Sequence, residues 1–444
     1  DVFEKTQRKI AVSVRLSVDE FLAEVGIDEP YINLEEGIRI AKACEAEGVD
    51  AINVSCGTYE SMNFAIEPVS FPQNWRKNFI KAVKDSVNIP VIAVSKLREP
   101  SVIEELLQEG VVDFAALGRP LLADPDFANK AIRGEDESIR KCISCLFCFE
   151  ELLKGSHVVC AVNPLTGFEA KYPERGKTDK PKKVVIVGAG PAGLSAAETL
   201  IRHGHEVVIF EKSDSIGGQV RIGMNPPKKD QLGWFMDYYE KFIKDYDVDI
   251  RFNQEANPET VKAMNPDIVL LGVGAKPITL NIPGETGPNV YSVEQVLKGE
   301  ADLKDKTVAV VGSGLTGLEV AEMLQVDGNK TLIVEMLDEI APGAYVQNLM
   351  DVLSRLAEDK TEYLTSHKLI EIDDDTIIME NLKSGEKVKR KVDAVVLAVG
   401  YKPDKEYLDS FSDTASVVKV IGDAHEVQNI GMAVRSGHAA AYEI

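Results

Sequence analysis

Twice in its 444 residues the chain spells out the same structural instruction. Val184-Val-Ile-Val-Gly188-Ala-Gly190-Pro-Ala-Gly193 and Thr307-Val-Ala-Val-Val-Gly312-Ser-Gly314-Leu-Thr-Gly317 each read as a buried strand, a tight turn and the opening of a helix. A second strand follows each, Glu206–Phe210 running into Glu211 and Thr331–Val334 running into Glu335. In both copies the acid stands 23 positions after the first glycine. Glycines in such a turn let the backbone approach a pyrophosphate, the helix N-terminus attracts its charge, and the acid accepts from a ribose hydroxyl. One Gly-x-Gly-x-x-Gly alone would be weak evidence. Two copies, each with strand, helix and acid in register, require parallel α/β sheets and imply two bound dinucleotides.

The second copy is followed by alternating text over Lys368–Met379 and Lys387–Val399, which predicts a β-meander completing that domain. Upstream, residues 10–132 alternate β-type runs, Ile10–Leu16, Asp50–Val54, Pro90–Val94 and Asp113–Leu117, with helical patterns near 33–47, 74–86, 100–109 and 124–131. Near-continuous apolar strands between helices predict a parallel sheet covered by helices. Four such units are half of a (β/α)8 barrel, which leaves two raw edges. Either strands belong before Asp1, or the sheet is open.

Between these halves lie Cys142-Ile-Ser-Cys145-Leu-Phe-Cys148 and, after a short excursion, Cys160. Three thiols at a strict three-residue spacing can point from one loop into one volume, and a fourth can close the cage, as in 4Fe-4S sites. Structural zinc more often takes two separated Cys-x-x-Cys pairs, and disulfides fit poorly with nucleotide motifs typical of intracellular enzymes. Cys44 reads as core and Cys56 as a small filler. None of the six histidines has metal-like spacing. The Lys- and Pro-rich stretch 177–183 reads as a linker. The net charge of −22 disfavours nucleic acid and anionic lipid, and no apolar run reaches membrane-spanning length.

The glycine motifs, with Gly217-Gly218-Gln219, Gly272-Val-Gly274, Ala398-Val-Gly400-Tyr401 and Gly422-Asp423-Ala424, resemble the disulfide-reductase-like flavoproteins, in which an FAD domain receives an inserted NAD domain. Gly218 and Gln219 then wrap the FAD pyrophosphate, and Asp423, after Gly422, reaches the ribityl chain. With the β/α units and the cysteines, the chain resembles the long old yellow enzyme-like reductases, among them dienoyl-CoA and 2-enoate reductases and trimethylamine dehydrogenase. The expected architecture is a partial (β/α)8 FMN barrel over 1–135, an iron–sulfur segment over 136–180, and two Rossmann-like dinucleotide-binding domains. These are an FAD domain over 181–298 plus 402–444 and an NAD domain over 299–401. The resemblance also implies a chain that begins inside the barrel.

In that family Arg15 faces the FMN ring, and Gly118-Arg119-Pro120 holds the FMN phosphate. Lys96 stands where the family usually has Gly and is a weaker candidate for the same phosphate. Tyr59, on the loop after the sixth barrel strand, stands where dienoyl-CoA reductases carry a His and would polarise a substrate carbonyl. The resemblance implies Cys142, Cys145, Cys148 and Cys160 as cluster ligands and NADH, FAD, 4Fe-4S and FMN as the electron route. The outlet is the C=C bond of a small unsaturated acyl or enone substrate. A carboxylate at Glu335, with Asp338 and Glu339 nearby, favours NADH over NADPH. The implied setting is cytoplasmic and anaerobic, and a homo-oligomer is compatible with it. Two other readings stand beside it: an amine dehydrogenase of the same architecture, and an NADH diaphorase module without its own substrate site.

Overall fold

The computed structural model describes residue 5 and residues 10–444; residues 1–4 and 6–9, at the start of the expected barrel segment, lie outside the described residues. The chain divides into two compact units, Asp1–Ser144 and Cys145–Ile444.

In the first unit four strands, β1 (Ser13–Ser17), β2 (Ala51–Ser55), β3 (Val91–Ala93) and β4 (Phe114–Ala115), form a parallel sheet in sequence order. Their alternate residues Val14, Leu16, Ile52, Val54, Val91 and Ala93 pack on Ile80, Val83 and Leu106 of the helices Lys77–Lys84 and Pro100–Gln108. Each fully buried Val, Ile or Leu of this layer contributes about 1.5–3 kcal/mol. The other face of β1 and β2 carries Arg15 opposite Asn53. This is the α/β partial barrel expected from the pattern.

Boundaries differ where side chains capture the backbone. β1 starts at Ser13 rather than Ile10, because the Val12 N–H donates to the Asp50 carboxylate (2.9 Å) before the ladder with β2 begins. The helix expected from 74 starts at Lys77, since Asn74 is left-handed (φ 57°) and the Arg76 N–H is taken by Ser95 Oγ. The helix expected over 124–131 is Phe127–Arg133, and a separate short helix, Arg119–Ala123, precedes it. Asp124 separates them by accepting from the Asp126 and Arg140 N–H groups and from Lys130 Nζ.

The second unit holds two five-stranded parallel sheets of equivalent topology. In the first, Lys183–Val187 is flanked by Glu206–Phe210 and Ile268–Leu271, with Asp249–Arg251 and Val417–Val420 outside. In the second, Thr307–Val311 is flanked by Lys330–Val334 and Ala394–Leu397, with Thr361–Leu364 and Val290–Ser292 outside. The strand Val417–Val420 joins the first sheet after the chain has traversed the second, and Val290–Ser292 joins the second before the boundary expected at 299. The meander is present as His367–Ile372, Thr376–Asn381 and Lys387–Lys391. The run to Val399 is not one strand. It breaks after Lys391, and Ala394–Leu397 enters the parallel sheet, because Ala394, Val395 and Val396 are wholly apolar whereas 387–391 alternates.

Candidate functional site

In the first sheet the glycines divide by what a side chain would strike. Gly188 has φ +100°, and a Cβ there would lie 2.5 Å from the Gly272 carbonyl oxygen. A Cβ on Gly193 would lie 2.0 Å from the Gly188 oxygen. These two let the strand, the turn and the helix Pro191–Arg202 close on one another. Gly190 is different: a Cβ there meets nothing within 4 Å. Its backbone faces open space at the N-terminus of a twelve-residue helix, the place where a pyrophosphate fits.

Glu211 is buried at the end of its strand and ties the turn down. Oε2 accepts from the Ala189 N–H (2.8 Å), and Oε1 accepts from Ser213 N–H and Oγ (2.9 and 2.7 Å). A carboxylate has about four acceptor positions, so one remains for a ribose hydroxyl.

The second cradle repeats the first. Gly312 has φ +102° and would meet the Ala398 oxygen at 2.4 Å; Gly317 would meet the Gly312 oxygen at 2.2 Å; Gly314 again opens on space. Glu335 accepts from Ser313 N–H and Oγ (2.9 and 2.8 Å) and from the Leu337 N–H (2.9 Å). The residues of each cradle therefore fit a dinucleotide.

Gly218 lies against the first cradle: a Cβ there would be 3.3 Å from Gly190 Cα. Gln219 starts the helix Gln219–Gly223 and donates to Glu294 (3.2 Å). Gly422 is left-handed (φ +61°), and a Cβ would press on the Ala192 methyl group at 2.7 Å. Its neighbour Asp423 accepts from the Gln428 N–H, and burial pushes its carboxyl above the usual range. The two junction segments pair directly, Tyr401–Lys402 with Lys276–Pro277.

On the barrel unit, Arg15 is exposed and donates to Ser55 Oγ (3.2 Å). Tyr59 is 87% exposed. Arg119 is largely buried and donates twice to Glu67, to the backbone oxygen (2.7 Å) and to Oε2 (2.5 Å). Gly118 beside it opens on space. Arg119 thus has donors left for a phosphate. Lys96 does not: its ammonium donates to the Pro68 (2.8 Å), Val69 (3.0 Å) and Phe71 carbonyls, which uses its three N–H groups. Burial, with Arg98 and Arg119 nearby, pushes its pKa down to about 7. The phosphate contact expected of Lys96 is therefore corrected to a loop-pinning role. Glu67, Arg76 and Arg98, all buried, escaped the sequence reading because single charges in loop text carry no pattern.

None of the four motif cysteines is joined in a disulfide; Cys142 and Cys160 are buried, Cys145 and Cys148 half-buried. Burial raises the Cys142 pKa, but Arg98, Arg119, the Ser144 N–H and Lys96 together hold it below the ordinary thiol value, and the thiolate is the ligating form. Ser144 and Leu146 are left-handed, which turns the loop sharply. In the second unit Phe147, Val159 and Ala161 pack with Phe168 and Met432, and Asn348 donates to the Cys145 carbonyl (3.2 Å). The donor chemistry suits a cluster. Among the described residues, however, no three His, Cys, Asp or Glu side chains are grouped to hold a metal ion.

Fold and cradles define a class, barrel-type β/α units carried on one chain with paired dinucleotide-fold domains. Residues 182–422 match the pyridine nucleotide-disulphide oxidoreductase family and residues 1–137 the NADH:flavin oxidoreductase / NADH oxidase family. The chain belongs to the old yellow enzyme-like flavin oxidoreductases that join these two parts. It is 38% identical to an NADH oxidase of Thermoanaerobacter brockii over 98% of its own length and 66% of that protein. It is 32% identical to a cinnamate reductase of Clostridium sporogenes over 100% of its length and 68% of that protein. A solved 2-naphthoyl-CoA reductase complex superposes with a TM-score of 0.90 at 28% identity, covering 97% of this chain and 64% of that one. The chain thus spans about two thirds of the length of the relatives it matches. No described helix is long and apolar enough to cross a membrane.

Proposed function

We propose that the chain is part of an NADH-dependent ene-reductase acting on the C=C of an α,β-unsaturated acyl or enone substrate. The observation that carries this is the doubled cradle, two equivalent open-glycine turns each closed by a buried glutamate in one chain. Two dinucleotides fit it, FAD in the first sheet and NADH in the second. When bound, the two flavins, FAD and FMN, and a 4Fe-4S cluster would supply hydride acceptance, one-electron transfer and hydride delivery to the substrate.

The chain's own residues do the rest. Gly190 and Gly314 open the backbone to each pyrophosphate, while the helices Pro191–Arg202 and Leu315–Val326 present their N-termini to it. Glu335 accepts from a ribose 2′-hydroxyl and, with Asp338 and Glu339, repels a 2′-phosphate, which favours NADH. Gly218, Gln219 and Asp423 line the first cradle. Arg15 stabilises negative charge on the FMN ring, and Arg119 holds its phosphate. Tyr59 donates to the substrate carbonyl and polarises it. Cys142, Cys145, Cys148 and Cys160 hold the cluster as thiolates; the reading rests on their spacing and on the cations about Cys142.

Anaerobic assay of the full-length protein with NADH and a panel of cinnamate-type acids, enoyl thioesters and secondary amines tests the reading. NADH-driven reduction of an unsaturated acid or thioester is expected. Oxidation of amines without NADH binding would overturn the substrate class, and NADH oxidation with ferricyanide alone would reduce the protein to a diaphorase.

A further inference from the structure

The barrel unit buries three cations, Arg76, Lys96 and Arg98, and one glutamate, Glu67, with Arg119 part-buried beside them. An isolated buried charge is costly, so the way these groups are tied together is informative. Arg76 is anchored first. It donates to the Val94 carbonyl beyond β3 (2.7 Å) and to the Phe64 and Ala65 carbonyls. Arg76 then grips Glu67 Oε1 (2.9 Å), which also accepts from Trp75 Nε1 (3.0 Å). The other oxygen, Oε2, and the backbone carbonyl of the same residue take the two Nη groups of Arg119. Lys96, pinned to three carbonyls at 68, 69 and 71, immobilises the loop that Glu67 begins.

We infer that Glu67 is a positioning residue that aims Arg119 at the flavin phosphate. This rests on the reading of Arg119 as the phosphate contact. A free arginine side chain gives up rotamer entropy when it is ordered. Glu67 holds it in place before any ligand arrives, taking one N–H from each Nη group and leaving the other three N–H groups for a phosphate. Arg76 neutralises Glu67 from behind, so the carboxylate does not repel an incoming dianion. Arg76, Arg98 and Arg119 outnumber Glu67 and the Cys142 thiol about this loop even with Lys96 only part-charged, which favours a phosphate. Without Glu67, Arg119 would be pushed off by the other cations.

The test measures FMN affinity of the full-length protein by fluorescence titration, with FAD content as an internal control in the other unit. Glu67→Gln is expected to weaken FMN about tenfold and leave FAD unchanged, and Glu67→Asp to recover part of the loss. In an Arg119→Ala background, Glu67→Gln is expected to change FMN affinity no further, because a positioning residue acts only through its client. An equal additional loss in that background would show a merely structural role and overturn the inference. If Arg119→Ala loses FMN while Glu67→Gln keeps it, the inference alone fails. If Arg119→Ala binds FMN normally, the phosphate reading fails and takes the inference with it.

Discussion

Replacing Gly190 by alanine places a methyl group where nothing lies within 4 Å, on backbone (φ −79°, ψ −176°) that alanine adopts freely. The folded, flavin-free protein should therefore hold its stability or gain about 0.4–1 kcal/mol from a less flexible unfolded chain. The methyl group nevertheless fills the space the pyrophosphate must enter. Displacing it from the backbone N–H groups costs on the order of 1–3 kcal/mol, or roughly ten- to hundredfold in FAD affinity. Gly193→Ala is the contrast, since its Cβ would lie 2.0 Å from the Gly188 oxygen. That overlap must open the turn, at a cost of about 1–3 kcal/mol, lowering the melting temperature by roughly 2–4 °C per kcal/mol. Thermal melts of flavin-free protein, paired with FAD titration, separate the two effects. Gly190→Ala is expected to melt like the parent and bind FAD poorly; Gly193→Ala is expected to fail in both. A Gly190→Ala protein that binds FAD at full strength, or melts as low as Gly193→Ala, would refute the assignment of the open glycine to the ligand.

Three further outcomes follow from the geometry. Glu335→Gln should raise the KM for NADH and shrink the preference over NADPH by about tenfold, measured as the ratio of kcat/KM values. If Tyr59 polarises the substrate carbonyl as proposed, Tyr59→Phe should lower the rate of C=C reduction by about 10²- to 10⁴-fold while leaving NADH:ferricyanide activity intact, because Tyr59 stands clear of both cradles in sequence. Burial alone would raise the Glu67 pKa, but Arg76 and Arg119 hold it below the ordinary glutamate value. A depressed carboxyl stabilises the fold fully above the unfolded value of about 4.3 and loses that contribution as pH falls through the lower folded value. Acid titrations followed by Trp75 fluorescence should thus show Glu67→Gln with a flatter acid limb than the parent, and equal limbs would refute the ion-pair account.

What could be read from sequence was whatever depends on local repetition. The cradles were legible because glycine at 188 and 193, and again at 312 and 317, answers steric demands of the fold that no other residue meets, while Gly190 and Gly314 complete the motif with open space. The parallel strands were legible as apolar runs, and errors fell where a side chain captured a backbone group, as Asp50 does at Val12 and Asp124 between two helices. The barrel's ion network was not legible. Arg119 lies 52 positions from Glu67, and only the fold makes one guanidinium the anchor of another. Lys96 shows the opposite failure, a cation near the right loop whose donors the backbone had already taken.

The proposed 4Fe-4S cluster between the two flavins is the central claim, and iron decides it. Anaerobically purified full-length protein should carry about four iron and four acid-labile sulfide per chain, with a visible absorption that NADH bleaches. Cys145→Ser should lose that iron while keeping FAD. Protein that holds one zinc per chain, or no iron when both flavins are bound, would contradict a cluster at Cys142, Cys145, Cys148 and Cys160.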